Sequence, residues 1–225
     1  MRTGPYHHGN LRAELLASAG RTLREQGPDQ ISLRELAREA GVSKSAPNRH
    51  FRDKQALLVA LAVAGFERLN DEIVRAIADA GAPDIANAGA PDIADAGARA
   101  IPDARAGAGS DVTDRYVDDL RATAAAFVDF AVRETALLDL MFSLAKTSGV
   151  DDVAAAAEHL FATIGELIDR GQASGALRAG DPTRLTLLIS AMFQGIAVLA
   201  SGRRVSAAQT AALLDDAVGL FLADR

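Results

Sequence analysis

Residues 32–51, "SLRELAREAGVSKSAPNRHF", hold two short helical runs separated by Gly-Val-Ser, and the reading of the chain turns on that interruption. Ser32 followed three residues later by Glu35 is a capping-box pattern, opening a second helix with Leu33, Leu36, Ala37 and Ala40 inward. Gly41 accepts the positive φ of a sharp helix end, Val42 is the apolar corner, and Ser43 caps a third helix expected to run to about His50. That helix would set Lys44, Ser45, Asn48, Arg49 and His50 outward, with Leu36, Val42 and Phe51 behind it. Small Ala37, four residues before Gly41, permits close crossing of the two helices. Side chains that reach base edges and phosphates, on a helix held at a fixed angle by another, meet the demand of a DNA major groove. A solvated surface helix is the plainer alternative.

Working outward, Asn10 caps a first helix with Leu11, Leu15, Leu16, Ala19 and Leu23 on one face, and Gly27-Pro28 ends it. Asp53 caps a fourth, carrying Leu57, Leu61, Leu69, Ile73 and Ile77, long enough to leave the first domain. Residues 1–55 hold ten Lys or Arg against six Asp or Glu, whereas residues 56–225 hold fourteen against twenty-four. A basic head on an acidic body is the charge distribution expected of a nucleic-acid reader whose overall charge is −6.

The body is helical by period. Val117, Leu120, Ala124, Phe127 and Ala131 mark one helix from Val112 onward; Leu138, Met141, Phe142 and Ala145 a short one; Val153, Leu160, Phe161, Ile164 and Ile168 a third. Asp181-Pro182 opens another, with Leu185, Leu188, Ile189, Met192, Phe193 and Ile196 inward, and Ser206 opens the last, with Leu213, Leu214, Leu220 and Phe221. No strand signal interrupts them. The fold class is all-α: a three-helix head over residues 1–55 and a larger helical body over 56–225. Within the body, residues 78–110 carry the near copies "ADAGAPDI", "ANAGAPDI" and "ADAGARAI", read as a low-complexity, mobile loop.

Other function classes lack their residues. Cysteine is absent, which excludes disulfides, thiolate catalysis and sulfur-ligated metals and fits the cytoplasm. "MRTGPYHHGNLRAELL" is no export signal. The apolar tract Leu185 to Ala200 includes Thr186, Ser190, Gln194 and Gly195 and falls short of the roughly 20 continuous apolar residues of a membrane span, so no membrane partner is expected. The acidic pairs Asp118-Asp119, Asp151-Asp152 and Asp215-Asp216 are sequence neighbours whose side chains diverge on a helix, and "AGAGS" lacks a phosphate-loop lysine. No enzyme, cofactor or metal is expected.

The run "ISLRELAREAGVSKSAPNRHFRDKQALLVAL" resembles the N-terminal DNA-binding domain of the TetR/AcrR family of bacterial transcriptional regulators, over residues 6 to about 63. The opening "YHHGNLR", "FAVRETALLDLMF" at 130–142 and "AMFQGIAVL" at 191–199 resemble its branch with a WHG-type regulatory domain. The Trp-His-Gly triplet falls on Phe193, Gln194 and Gly195, so only the glycine is kept. By position, the resemblance implies DNA contacts from Ser32, Arg34, Ser43, Lys44, Ser45, Asn48, Arg49, His50 and Lys54. Asn48 stands where the family commonly has an aromatic residue, usually Tyr. Asn pairs bidentately with adenine, so a different sequence preference is expected.

The resemblance further implies a homodimer through residues 182–201 and 206–223, a palindromic double-stranded operator, and repression relieved by a small effector. Phe127, Phe130, Met141, Phe142, Phe161, Met192 and Phe193 are the candidate pocket walls, with His159 and Gln194 as polar groups, which suits a largely apolar effector. The rival reading is a helical protein-interaction module that has lost DNA reading, kept open by Pro47 and Asn48.

Overall fold

The computed structural model describes residues 11–81, 104–147 and 150–223. Among the described residues eight α-helices follow in order: α1 Leu11–Gln26, α2 Leu33–Glu39, α3 Lys54–Ala80, α4 Ala104–Arg133, α5 Thr135–Ala145, α6 Asp151–Ala173, α7 Pro182–Ser201 and α8 Ala207–Gly219. Single 3-10 turns lie at Pro28–Gln30 and Pro47–Arg49. Among the described residues the only β-type pairing is an isolated bridge, Leu177 to Leu222, so the fold is all-α. Most of the octad repeats lie outside the described residues. Where described, 78–80 complete α3 and the next helix opens at Ala104, ahead of the expected Val112.

Several helix starts follow from their caps. Asp53 Oδ1 accepts from Ala56 N at 2.7 Å, and Asp181 Oδ1 from Arg184 N at 2.8 Å. Ser206 and Gln209 bond reciprocally as a capping box. Ser32 departs from this: its side chain makes no cap bond, and the reciprocal bond is lost as Glu35 turns instead to Arg38 at 2.7 Å. That contact also raises the Arg38 pKa, through the hydrogen bond to Glu35 and its charge.

By internal contacts the chain divides into two units, with boundaries inside α3, α4 and α6. The first takes residues up to Asn70 together with Phe130–Phe161. Its core is Leu15, Ala19 and Leu23 of α1, Leu36 and Ala37 of α2, Phe51, and Leu57, Leu61 and Phe66 of α3, all buried. There α1 packs on both α2 and α5, and Ser18 bonds Glu39 across the α1–α2 contact. Burial of this set is the main stabilising term, at ~25 cal/mol per Å² of apolar surface.

The second unit takes Asp71–Asp129 and Ala162–Arg225. Leu120, Ala124 and Phe127 of α4, Leu167 and Ile168 of α6, and Leu185, Ile189, Phe193 and Ile196 of α7 are buried in it. Buried Asp119 is met by Arg170 at 3.4 Å, and Arg121 reaches Asp215 on α8 at 3.0 Å. The chain end folds back: Arg178 N donates to Phe221 O at 3.0 Å, Ala223 N to Ala176 O at 2.9 Å, and the Arg178 guanidinium lies over the Phe221 ring.

Helices α7 and α8 pair with each other. By length and composition α7 would suffice to cross a membrane, yet a third of its most apolar window is buried inside the chain. Leu187, Val198 and Leu220 are 60–63% exposed and Leu188 is 43% exposed. For Leu188 and Leu220 this corrects the inward orientation expected from their spacing. Helical period identifies a shared face but not what the face meets.

Candidate DNA-binding interface

The corner after α2 is built as its residues require. Gly41 has φ +67°, Val42 N reaches Ala37 O at 3.0 Å and Gly41 N reaches Arg38 O at 3.2 Å, the paired bonds of a Schellman end. A side chain at Gly41 would be strained in this left-handed backbone.

The expected third helix is where the structure differs. Instead of a helix from Ser43 to His50 there is a turn, with Ala46 N on Ser43 O at 3.0 Å, followed by the 3-10 turn Pro47–Arg49. Pro47 has no N–H for the Ser43 carbonyl, so Ala46 takes that acceptor with the tighter i→i+3 closure. The Pro47 carbonyl then accepts from both His50 N and Phe51 N at 2.9 Å. Pro47 and Phe51 are buried behind the segment, and the Arg12 guanidinium covers the Phe51 ring with Cζ 5.5 Å from its centre.

On this short scaffold Ser43, Lys44, Ser45, Asn48, Arg49 and His50 are all exposed, with Ser43 Oγ 3.3 Å from Ser45 Oγ. Arg34 is exposed on the first turn of α2 and Ser32 is half-buried at its start. Lys54 is half-buried and donates from Nζ to the Asp29 carbonyl at 2.8 Å, a tie between the start of α3 and the Pro28–Gln30 turn that sequence reading missed. The segment Ser43–His50 itself presents two cations, hydroxyls and one amide over an apolar back, which suits phosphate contact and base-edge hydrogen bonding.

The nine pocket residues are less gathered. Phe130 and Met141 have no exposed surface in the first unit, where Phe142 meets Phe66 edge-to-face at 5.5 Å and Phe161 is half-buried. In the second unit Phe127 and Phe193 are buried, and Met192 and Gln194 half-buried. His159 is exposed, with Nε2 3.3 Å from Asn70 Nδ2, and it lines an open groove of about 1000 Å³ in the first unit. That groove also takes in His50, Arg12, the Ala56–Ala64 side of α3 and the first turns of α6. Among the described residues no three His, Asp or Glu gather as metal ligands.

The likenesses to known proteins agree with this layout. Residues 15–61 match the family model "Bacterial regulatory proteins, tetR family", and residues 120–221 match "Tetracyclin repressor-like, C-terminal domain". The chain is similar to the HTH-type transcriptional repressor Rv1474c of Mycobacterium tuberculosis, 40% identical over 63 residues, which span 28% of this chain and 34% of that repressor. A solved protein of unknown function from Rhodococcus sp. RHA1 is 35% identical, with TM-score 0.76, over 99% of this chain and 100% of that one. A regulatory protein of the tetR family from Rhodococcus RHA1 shares the fold at 18% identity and TM-score 0.62, over 96% of this chain and 100% of the other. With a helix-turn-helix head matched before a repressor-like body, the chain belongs to the TetR family of bacterial transcriptional regulators, DNA-binding proteins rather than enzymes.

Proposed function

We propose that the protein is a cytoplasmic, ligand-responsive repressor that binds a palindromic operator as a homodimer and is released by a small, largely apolar effector. The observation that carries the reading is the segment Ser43–His50, whose polar and cationic side chains are exposed over buried Pro47 and Phe51. In this reading residues 1–55 are the DNA-binding domain and residues 56–225 the sensing and dimerising one. DNA contacts come from Ser32, Arg34, Ser43, Lys44, Ser45, Asn48, Arg49 and His50, while Lys54, the remaining candidate, has its ammonium engaged by the Asp29 carbonyl and supports the head that presents them.

Dimerisation through α7 and α8 is supported by the apolar side chains they leave in water. Leu187, Ala191, Gly195 and Val198 are exposed and follow each other at a helical stride on α7, and Leu220 is exposed just past α8. A second copy of the same surface is the self-complementary cover that two-fold symmetry provides. Two heads so joined must stand about one turn of DNA apart, ~34 Å, or at a spacing set by the dimer. The effector walls are Phe127, Phe130, Met141, Phe142, Phe161, Met192 and Phe193, with His159 and Gln194 as polar groups; support for an apolar ligand is the burial or half-burial of every one except His159. Release requires that the ligand bind one head arrangement better than the other.

The test is selection of genomic DNA fragments by the purified protein near physiological salt, beside a Lys44→Ala/Arg49→Ala variant. Enrichment of one palindromic site by the wild type alone is the expected result. The 3-10 geometry at Pro47–Arg49 favours the second reading, a protein-interaction module without DNA reading. A folded, dimeric wild type that enriches no fragment would establish it.

A further inference from the structure

Glu134 stands at the break between α4 and α5, where its backbone (φ −130°, ψ 38°) leaves helical geometry. Its side chain is 12% exposed, and it receives two guanidinium groups from distant parts of the chain. Arg68 of α3 brings Nη2 to 3.0 Å from Oε1, and Arg24 of α1 brings Nε to 3.4 Å from Oε2. Arg68 also lies over the Phe130 ring, 5.0 Å from its centre. Further along α5, a Cβ built on Gly65 would fall 2.6 Å from Met141 Sδ, so α3 meets α5 there without a side chain between them. Helix α1 and helix α3, the latter following the reading segment directly, are thus each joined to the start of α5 by an ionic contact, and α3 meets α5 by an apolar one as well.

An apolar residue at position 134 would fill the same space without the desolvation cost of a nearly buried carboxylate. What one carboxylate between two guanidiniums adds is direction, because each planar fork accepts only a narrow range of approach. We propose that Glu134 is a positioning residue for DNA reading: by holding Arg24 and Arg68 together it sets the angle at which the head is carried. This rests on the dimeric reading above, because head angle alters affinity only where two heads must meet two half-sites at once. Neutralising Glu134 removes the charge that draws the two guanidiniums together, and the repulsion between them widens the range of head angles.

The test compares wild type with Glu134→Gln in the full-length chain, each carrying Gln30→Cys in the exposed turn of the head as the sole thiol for a spin label. Without DNA, the wild-type dimer gives one narrow head-to-head distance and Glu134→Gln a broadened one. With the fragment enriched by the wild type, Glu134→Gln loses roughly five- to tenfold in affinity. Affinity for random-sequence duplex is unchanged, since Lys44 and Arg49 are untouched, and Glu134→Asp, which keeps the charge, recovers part of the loss. Arg24→Gln, at a half-exposed guanidinium, gives the same pattern and serves if Glu134→Gln fails to fold. Wild-type distances and affinities in both variants overturn the proposal, as does an equal loss on specific and random DNA. A wild type that forms no dimer overturns the dimeric reading itself, and one that enriches no fragment overturns the DNA-reading one.

Discussion

Lys54 donates from Nζ to the backbone carbonyl of Asp29 at 2.8 Å, tying the first turn of α3 to the 3-10 turn that leads into α2. An ammonium engaged in this way orders the head rather than neutralising phosphate. Lys54→Gln is therefore expected to weaken DNA binding by about 1 kcal/mol, the worth of one hydrogen bond, without altering its salt dependence. Lys44→Gln should instead lower the slope of log affinity against log salt by about one. Titrations across ionic strength check both, and an equal fall in slope for Lys54→Gln would mean that its ammonium serves phosphate.

Gly41 holds the corner with φ +67°. Gly41→Ala imposes a left-handed backbone on an L side chain and should cost about 1–2 kcal/mol. Denaturant unfolding measures the loss, and DNA affinity should fall with it, because the turn from Ser43 onward is hung from this corner.

Leu188 is 43% exposed on α7, so a charge there harms no core of its own chain. Leu188→Glu should convert the dimer to monomers in sedimentation while the helical circular dichroism persists. Met192→Glu and Leu214→Glu, at half-buried positions on α7 and α8, should do the same with some loss of stability. Persistent dimers in all three variants would place the interface elsewhere.

Tyr116 is buried, and its hydroxyl has no hydrogen-bond partner among the described residues. Burial pushes its pKa up from the ordinary 10, with the Arg170 charge opposing and the Asp119 charge adding. The fold thus keeps the protonated form, so this stability is complete below pH ~10 and drains away as pH rises beyond it. Tyr116→Phe removes both the unmet hydroxyl and the titration. Expected are a gain of about 1 kcal/mol at neutral pH and a flatter loss of stability above pH ~10, read by thermal melts across pH.

Much of this was legible locally. Helical period located the helices, Gly41 marked the corner, and Asp53, Asp181 and Ser206 capped as their spacing suggests. Local rules failed where two partners competed. Glu35 chose the Arg38 guanidinium over the Ser32 backbone, and Pro47 withheld the N–H that a third α-helix needed. Leu188 and Leu220 lie on apolar faces that period alone cannot tell apart from core-facing ones. Glu134 gave no signal, since Arg24 and Arg68 reach it only through the tertiary packing of α1 and α3 on α5.

The bridge between Leu177 and Leu222 brings the entry and exit of the α7–α8 hairpin side by side. A segment whose ends meet can be exchanged between proteins without changing the path of the chain around it, provided the buried face of Leu185, Ile189, Phe193 and Ile196 is kept. Cutting at these two leucines would yield a transplantable cassette carrying the exposed leucine surface. Chimeras built there would carry the exposed α7–α8 surface of one protein on the reading head of another.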